Sequence, residues 1–352
     1  MTAVNSQAVK KTVVDLLKDV SSRNRDIISR RFGLKTGKKE TLESIGASYK
    51  ITRERVRQIE EATLRQLSGI ASGNAEVARY LDAVRGILNA KGGIVSEQEL
   101  FNGFGGSDAV GNASLVFLIT LNGDLKRVSD NDEFRPFWAV NETILASFKN
   151  TVSGLAGVLK KSGRVIPEED FNYLAQKTNV PSYTRVGNSV SEPEIKTAMA
   201  VSKDLARNIF NEIGLVSWSE IRPKGVRDKA YLVLKKVQKP QHFGEIARLI
   251  NTAGFNNKKA NVQTVHNELI KDERFILVGR GLYALSDWGY KPGTVKDVLV
   301  DILRNSSKPM AKATLMTKVR NARIVKENTI LLNLQDSKTF VKNPDGTYTL
   351  RG

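Results

Sequence analysis

The sequence contains no cysteine, only two histidines and no long apolar run. The absence of cysteine excludes disulfides, thiolate nucleophiles, iron–sulfur clusters and cysteine-type zinc sites. His242 and His266 are too few for most zinc sites, so capping or packing roles are favoured over a metal or acid–base pair. The run 115–119 is too short to span a bilayer, and the N-terminus carries charges where a signal peptide has its apolar core. We therefore expect a cytoplasmic protein that does not enter the membrane.

Phosphate-loop and dinucleotide motifs are also absent. Residues 33–39 have three residues between the glycines instead of four, and lysine where a serine or threonine must hold magnesium. Residues 103–106 follow a helical pattern instead of a strand and lack the dinucleotide-binding spacing. Glu168, Glu169 and Asp170 follow Pro167, which indicates the first turn of a helix and not a metal site. We expect no enzymatic activity, no cofactor and no metal.

What the sequence does have is positive charge, and that charge is segregated. The chain of 352 residues has a formal net charge of +18, with 40% apolar and 26% charged residues, as in folded proteins. The net charge is +7 over residues 1–70, −1 over 71–228, +5 over 229–290 and +7 over 291–352. Basic segments of this kind favour a polyanion as partner, because each neutralised phosphate releases counterions. Nucleic acid is the leading candidate.

The strongest local pattern is TLESIGASYKITRERVRQIEEATLRQL, residues 41–67. Leu42 and Ile45 mark one helix, Gly46 precedes a turn, and Thr52 can cap a second helix with its side-chain oxygen. The apolar stripe predicted for the second helix consists of Val56, Ile59, Ala62, Leu64 and Leu67. This spacing predicts a helix-turn-helix whose second helix fits a DNA major groove.

Residues suited to reading bases lie on the opposite face of that second helix. Arginine reads guanine, glutamine reads adenine and glutamate accepts from cytosine. The candidate DNA-binding residues are Arg53, Glu54, Arg55, Arg57 and Gln58. The alternative is a solvated face with i,i+4 ion pairs, which produces similar strings.

The same string resembles region 4.2 of sigma-70 family factors, and SRNRDIISRRFGL, residues 22–34, resembles their region 4.1. The resemblance covers about residues 10–68. It implies that this helix reads a −35 promoter element, with base contacts from Arg53, Glu54, Arg57 and Gln58 and a phosphate contact from Arg55. It also implies docking on the beta flap of RNA polymerase core. Only nine residues precede Lys10, so we expect no −10 melting region and no specific transcription from core polymerase and this chain alone.

A recurring order of helices followed by a strand–turn–strand fills the rest of the chain. Helices followed by a glycine-bearing hairpin indicate a winged helix. The predicted fold is all-α with small β wings, in which a helix-turn-helix precedes tandem winged-helix modules. The predicted domains are 1–70, 76–142, a degenerate copy at 143–226, 227–290 and 291–352. We expect residues 1–70 to fold alone, with 68–74 as a linker.

In the degenerate copy, residues 194–214 are predicted to be helical, 215–221 to form a strand, and 181–193 to be the most flexible loop. Residues 229–290 contain KPQHFGEIARLI, TVHNELIKDERFILVGRGLYAL and DWGY, which resemble the HARE-HTH winged-helix family. That resemblance implies a DNA-binding or polymerase-binding accessory.

In this segment Val262, Val265 and Leu269 are predicted to form a buried stripe, with Asn267 and Lys271 on open faces. Helix-start and wing-tip positions suit phosphate contacts, although surface lysines there are common in any protein. The candidate DNA-binding residues here are Lys258, Lys259, Asn261, Thr264 and Arg280.

Together these patterns predict a bacterial transcription factor that binds double-stranded DNA and RNA polymerase core in the nucleoid. Two alternatives remain open. One is a polymerase accessory subunit whose winged helices bind protein, and the other is the DNA-specificity component of a restriction or defence system.

Overall fold

The computed structural model describes residues 6–104, 106–185, 187–255, 259–306 and 308–351. These residues are mostly helical, with short antiparallel strands. Two compact units divide the chain: Met1–Ala206 with Ile213–Val216, and Arg207–Glu212 with Ser217–Gly352. Across the described ranges, no helix is long and apolar enough to cross a membrane.

Four helices open the first unit: α1 Ser6–Leu16, α2 Ser22–Phe32, α3 Leu42–Tyr49 and α4 Arg53–Ser72. Helix α2 ends at Gly33, whose φ of 72° is the left-handed conformation typical of a helix C-cap. Helix α4 continues through the boundary predicted at residue 70. The linker predicted at 68–74 is therefore wrong over residues 68–72, which lie in the helix because Leu67 and Ala71 extend its buried stripe.

Residues 75–215, which belong to the first unit except for 207–212, contain two copies of one element order, helix–strand–helix–helix–strand–strand. The first copy, repeat 1, consists of α5 Ala75–Ala90, β1 Ile94–Ser96, α6 Glu97–Gly103, α7 Ala109–Asn122, β2 Lys126–Val128 and β3 Phe137–Ala139. The second copy, repeat 2, consists of α8 Glu142–Ser162, β4 Ile166–Pro167, α9 Glu168–Lys177, α10 Glu192–Val201, β5 Leu205–Arg207 and β6 Glu212–Leu215.

Two further copies form most of the second unit. Repeat 3 consists of α11 Val226–Val237, β7 Gln241–His242, α12 Phe243–Thr252, α13 Val262–Lys271, β8 Phe275–Gly279 and β9 Leu282–Leu285. Repeat 4 consists of α14 Val295–Arg304, β10 Met310–Ala311, α15 Lys312–Ala322, α16 Glu327–Leu334, β11 Phe340–Lys342 and β12 Thr347–Leu350.

Each repeat has its own three-stranded sheet in which the third strand lies between the first and the second. In repeat 1 the central strand pairs Trp138 with Val95 on one side and with Arg127 on the other, both antiparallel. The first strand of each repeat has only two or three residues. These strands were not predicted, because an alternating pattern needs about four residues to be recognised.

Repeat 2 corrects two predictions. The helix predicted at 194–214 ends at Val201, and the strand predicted at 215–221 is replaced by β6, which ends at Leu215. The reason is the turn between β5 and β6: Asn211 has a φ of 61°, and the Asn208 side chain accepts backbone hydrogen bonds from Phe210 and Glu212. Asparagine side chains that bond nearby backbone groups favour turns over helices.

The loop predicted to be the most flexible, 181–193, contains an ordered hydrogen-bond network. Oε1 of the buried Glu194 accepts hydrogen bonds from the backbone of Tyr183 and Thr184 and from the hydroxyl of Ser182, at 3.0, 3.1 and 2.7 Å. Oε2 accepts from the backbone and hydroxyl of Ser191, both at 2.7 Å. Burial raises the pKa of Glu194, but the hydrogen bonds from Ser191 and Ser182 lower it more, so the net shift is downward.

Helices α1, α2 and α4 share one apolar core with repeat 1. Val9 and Val13 of α1 and Leu67 of α4 are buried in the same cluster as Tyr80 of α5 and Phe117 of α7. At the edge of this core, Asp108 links the start of α7 to α1. Its carboxylate contacts Lys10 Nζ at 2.6 Å and accepts a hydrogen bond from Ser6 Oγ at 2.7 Å. Hydrogen bonds from Lys10 and Ser6 hold the pKa of Asp108 well below its usual range.

In the second unit repeats 3 and 4 have separate cores. They are joined by backbone and side-chain bonds: Ile324 N donates to Val278 O at 2.9 Å, and Arg323 Nη2 donates to Leu277 O at 2.8 Å. Arg323 is buried, and this burial lowers the pKa of its guanidinium. Repeats 3 and 4 therefore have separate cores and contact each other within one compact unit.

Candidate nucleic-acid interface

Helices α3 and α4 meet in a tight turn that has little room for side chains. A Cβ added at Gly46 would lie 2.7 Å from the carbonyl oxygen of Ile51, so a larger residue cannot be accommodated there without movement. Lys50 ends α3 with a φ of 55°, and Thr52 caps α4 by accepting from Arg55 N at 3.1 Å. The predicted helix-turn-helix is confirmed, and Gly46 and Thr52 position its second helix.

A small core under this turn fixes which face of α4 points outward. Ile27 of α2, Ile45 of α3 and Val56 of α4 are completely buried against one another. Farther along α4, Thr63 is buried where the stripe was predicted to contain Ala62, which is exposed. Ala62 is apolar but lies outside the 3.6-residue period, which runs from Val56 through Thr63 to Leu67.

All five candidate residues of α4 are exposed in its first two turns, on the side away from the buried core. Four of them form a linked set. Arg57 donates from Nε and Nη2 to the two carboxylate oxygens of Glu54, at 3.0 and 2.8 Å, and its Nη1 lies 3.2 Å from Glu61. Gln58 Nε2 lies 3.5 Å from Glu54 and Gln58 Oε1 accepts from Arg55 at 3.2 Å.

The Glu54–Arg57 pair defines the electrostatic state of this face. The hydrogen bond from Arg57 lowers the pKa of Glu54, and the hydrogen bond to Glu54 raises the pKa of Arg57. Both groups are therefore charged at neutral pH, and both are accessible to solvent. Bidentate binding of a guanine through Nε and Nη2 of Arg57 would compete with Glu54, because these two nitrogen atoms already donate to that carboxylate.

Sequence reasoning missed the ion pairs that hold α2 against the helix-turn-helix. Arg30 donates from Nε and Nη2 to Glu40 at 2.9 and 2.7 Å, and Arg31 Nε donates to Glu60 at 3.1 Å. These arginines are thus structural even though they belong to a basic segment. The spacing between the partners, ten residues for Arg30 and 29 for Arg31, has no local sequence signal.

The second candidate set belongs to repeat 3. Lys258 lies outside the described residues, whereas Lys259, Asn261, Thr264 and Arg280 are all exposed. Asn261 caps α13: its Oδ1 accepts from Gln263 N at 2.8 Å and from Thr264 N at 3.4 Å. Arg280 lies at the tip of the β8–β9 hairpin, as the sequence predicts. Contact of these residues with DNA stays a prediction.

The buried stripe predicted on α13 is only partly correct. Val265 and Leu269 are buried, but Val262 is 46% exposed because it occupies the first turn, beyond the edge of the core. The predicted open positions Asn267 and Lys271 are exposed, and between them Ile270 is 64% exposed. The outer face of α13 therefore mixes polar side chains with the apolar Val262 and Ile270, and Lys271 is its one lysine or arginine.

The two histidines have capping and packing roles. His242 Nδ1 accepts from Gly244 N at 3.2 Å at the start of α12. The His266 ring stacks on Phe243 with centroids 4.4 Å apart. Among the residues with described positions, no three His, Asp or Glu side chains gather as a metal site.

Comparison with known proteins finds a similarity that covers the first of these sites. Residues 16–68 match the family model described as Sigma-70, region 4. The RNA polymerase sigma factors SigA of Microcystis aeruginosa and of Synechocystis sp. are each 41% identical over 64 residues, 18% of this chain and 15% of theirs. SigA of Clostridium acetobutylicum is 36% identical over 74 residues, 21% of this chain and 19% of that protein.

The chain thus spans less than a fifth of the length of these curated relatives. The region 4 resemblance of the N-terminal helices is confirmed, and with it a helix-turn-helix of the type used in transcription. The HARE-HTH resemblance of residues 229–290 stays a prediction.

Proposed function

We propose that this chain is a transcription protein of the cytoplasm that binds promoter-like duplex DNA with α4 and associates with RNA polymerase core at its beta flap. The observation that supports this most directly is the exposed first half of α4 within a region that matches sigma-70 region 4. The protein acts by binding, without catalysing a reaction, and needs no cofactor.

The four repeats are winged helices in this proposal. Three helices and a three-stranded sheet, with a hairpin formed by the last two strands, is the architecture expected of that module. Helices α10, α13 and α16 each have an exposed face, whereas nine of the 14 residues of α7 are buried. Repeat 1 therefore supports the DNA-binding helices through α7, and repeats 3 and 4 bind partners.

The test of base reading compares a DNA site selected from a random pool with a scrambled duplex. Arg57→Ala should weaken binding to the selected site by about 1–3 kcal/mol and leave the scrambled duplex nearly unchanged, since a bidentate base contact carries that much discrimination. Gln58→Ala should act in the same direction. The measurement is the dissociation constant for each duplex at several salt concentrations.

Arg65→Ala is the matched control, because Arg65 is an exposed arginine on the same helix and is paired with Glu61. It removes the same charge two turns beyond the predicted contacts. Equal losses for Arg57→Ala and Arg65→Ala, or equal losses on both duplexes, would reduce the role of Arg57 to general electrostatics and would contradict the promoter-reading proposal.

A polymerase accessory subunit with protein-binding winged helices is the second candidate function. The exposed Ile270 in the last turn of α13 favours it, because an apolar side chain on an outer helix face suits a protein surface better than DNA phosphates. The double change Lys258→Ala with Lys259→Ala separates the two. If repeat 3 binds DNA, affinity for every duplex falls and the salt slope decreases by about one to two units. If affinities are unchanged while polymerase subunits are lost from a pull-down, repeat 3 binds protein.

A further inference from the structure

Repeat 4 has an excess of positive charge that its own acidic groups do not neutralise. Residues 291–352 carry a net charge of +7. Four of the five acidic side chains of the repeat are engaged by ion pairs, caps or turn hydrogen bonds: Asp297, Glu327, Asp336 and Asp345. Two of these acids form ion pairs with basic residues of the repeat: Asp336 with Lys296 at 2.6 Å and Glu327 with Arg320 at 3.0 Å.

Three of the remaining lysines converge on one depression. Its volume is about 540 Å³, and it is lined by Lys291, Ile302, Asn305, Ser306, Lys308 and Lys318. The lysines come from three segments: the residues before α14, the residues before β10, and helix α15. No carboxylate lines the depression, and within the described part of the chain none of the three ammonium groups has an ion-pair partner.

The three ammonium groups repel one another electrostatically, and a bound anion would offset this repulsion. Unit charges of the same sign repel one another at the separations found across such a depression, even near the surface. The neighbouring polar group, the Asn305 amide, adds hydrogen-bond donors of the kind that phosphate oxygens accept. Lysine acts toward phosphate as a point charge and without base preference.

We propose that the depression lined by Lys291, Lys308 and Lys318 binds backbone phosphates of nucleic acid, as a sequence-independent contact separate from α4. The choice of nucleic acid over other polyanions rests on the proposed function, since the same chain presents a helix suited to a major groove. The depression is open to solvent and not an enclosed cavity, which suits a continuous phosphate chain more than an enclosed small molecule. Base reading at one end of the chain and phosphate binding at the other would anchor one duplex or its flanking DNA.

The test uses the full chain with Lys291, Lys308 and Lys318 all changed to alanine, and random-sequence duplex DNA as the probe. Each lysine that neutralises a phosphate contributes about 0.9 to the slope of log affinity against log salt concentration. The slope should therefore fall by about two to three units, and affinity at 0.1 M salt should fall at least about tenfold. All three side chains are exposed, so thermal unfolding should be unchanged.

The matched control is Lys326→Ala with Lys338→Ala and Lys342→Ala. It removes three exposed lysines from the same repeat, none of which lines the depression. We expect its slope to stay within one unit of the wild type. Equal losses in the two triple variants would indicate a diffuse effect of net charge and would overturn the site, as would an unchanged slope in the first triple variant.

The selected and scrambled duplexes distinguish failure of this proposal from failure of the proposed function. If the wild type shows no preferred sequence but loses its slope in the first triple variant, the proposed promoter reading fails and the phosphate site is supported. If the wild type binds no duplex, both are overturned. Inorganic pyrophosphate is the second probe: saturable binding to the wild type at micromolar concentration, lost in the first triple variant, would assign the depression to a small phosphorylated ligand and overturn the nucleic-acid proposal.

Discussion

Helices α7 and α13 occupy the same place in their repeats and have opposite surroundings. Nine of the 14 residues of α7 are buried, and its sequence AVGNASLVFLITLN has no charged residue. Helix α13 has only Val265 and Leu269 buried, and its sequence VQTVHNELIK places polar side chains outward. The element order alone therefore does not decide whether a third helix can bind a partner. The composition of its outer face decides it.

The cause of the difference is what lies next to each helix. In repeat 1 the outer face of α7 is covered by α1 and by the C-terminal half of α4. In repeat 2, Arg135 N of repeat 1 donates to Val201 O at the end of α10, and Lys203 N donates to Glu133 O, both at 2.8 Å. The helix-turn-helix and the first two repeats form one compact unit. The predicted independence of residues 1–70 is disfavoured by this shared core.

The largest expected effect on stability is in α7, the buried helix of the two. Phe117 of α7 is completely buried and its ring lies edge-on to Phe32 of α2, with centroids 5.1 Å apart. Phe117→Ala should lower the free energy of unfolding of the first unit by about 3–5 kcal/mol, because it removes apolar contacts and leaves a cavity. Urea denaturation followed by circular dichroism measures this loss.

Ile270→Ala on α13 is the counterpart, and it should change the free energy of unfolding by less than about 0.5 kcal/mol because the side chain is 64% exposed. A large loss for Ile270→Ala would show that α13 is covered in solution. A loss below about 1 kcal/mol for Phe117→Ala would show that the core shared by α2 and α7 does not stabilise the protein.

A smaller effect is expected at the two N-caps. Asp108 caps α7 and also contacts Lys10 and Ser6 of α1, whereas Asn261 caps α13 through the helix backbone alone. Asp108→Asn retains the cap and loses the ion pair, so it should cost about 0.5–1 kcal/mol near neutral pH. Asn261→Asp should be neutral or stabilising by a few tenths of a kcal/mol, since a negative charge is favourable at a helix N-terminus.

The pH dependence identifies the source of the Asp108 effect. The pKa of Asp108 is lowered in the folded state, so its stabilisation is complete above its ordinary pKa of about 3.8 and is lost as the pH falls through the folded value. The difference between wild type and Asp108→Asn should therefore shrink in acid. A difference that is constant from pH 7 to pH 2 would contradict the ion-pair explanation.

Local signals were sufficient to predict the helix-turn-helix and the hairpin of repeat 3. Thr52 as a cap and Gly46 before the turn are chemical requirements at single positions. Gly281 of the hairpin has a φ of 69°, and a Cβ there would lie 2.6 Å from His242. Such constraints are visible in the sequence because few residue types satisfy them.

Features that depend on distant partners could not be predicted. The ion pair between Arg31 and Glu60 and the covering of α7 by α1 are set by tertiary packing. The end of α10 at Val201 was missed because the residues that follow have good helix propensity, while the side-chain hydrogen bonds of Asn208 stabilise a turn. In each case local preference was overridden by contacts across the fold.

The length of α4 has a consequence for its dynamics. Its 20 residues rise about 30 Å, so the helix runs without interruption from the solvent-exposed candidate residues to the core it shares with α7. Backbone amides of residues 63–71 should exchange with deuterium only when the whole first unit unfolds, while those near Arg57 lie beside the smaller core of Ile27, Ile45 and Val56 and should exchange by local opening of the helix-turn-helix. The two ends of α4 therefore differ in local stability. Binding of DNA to the first turns of α4 should slow amide exchange there and leave exchange unchanged in the part of the helix that packs on α7.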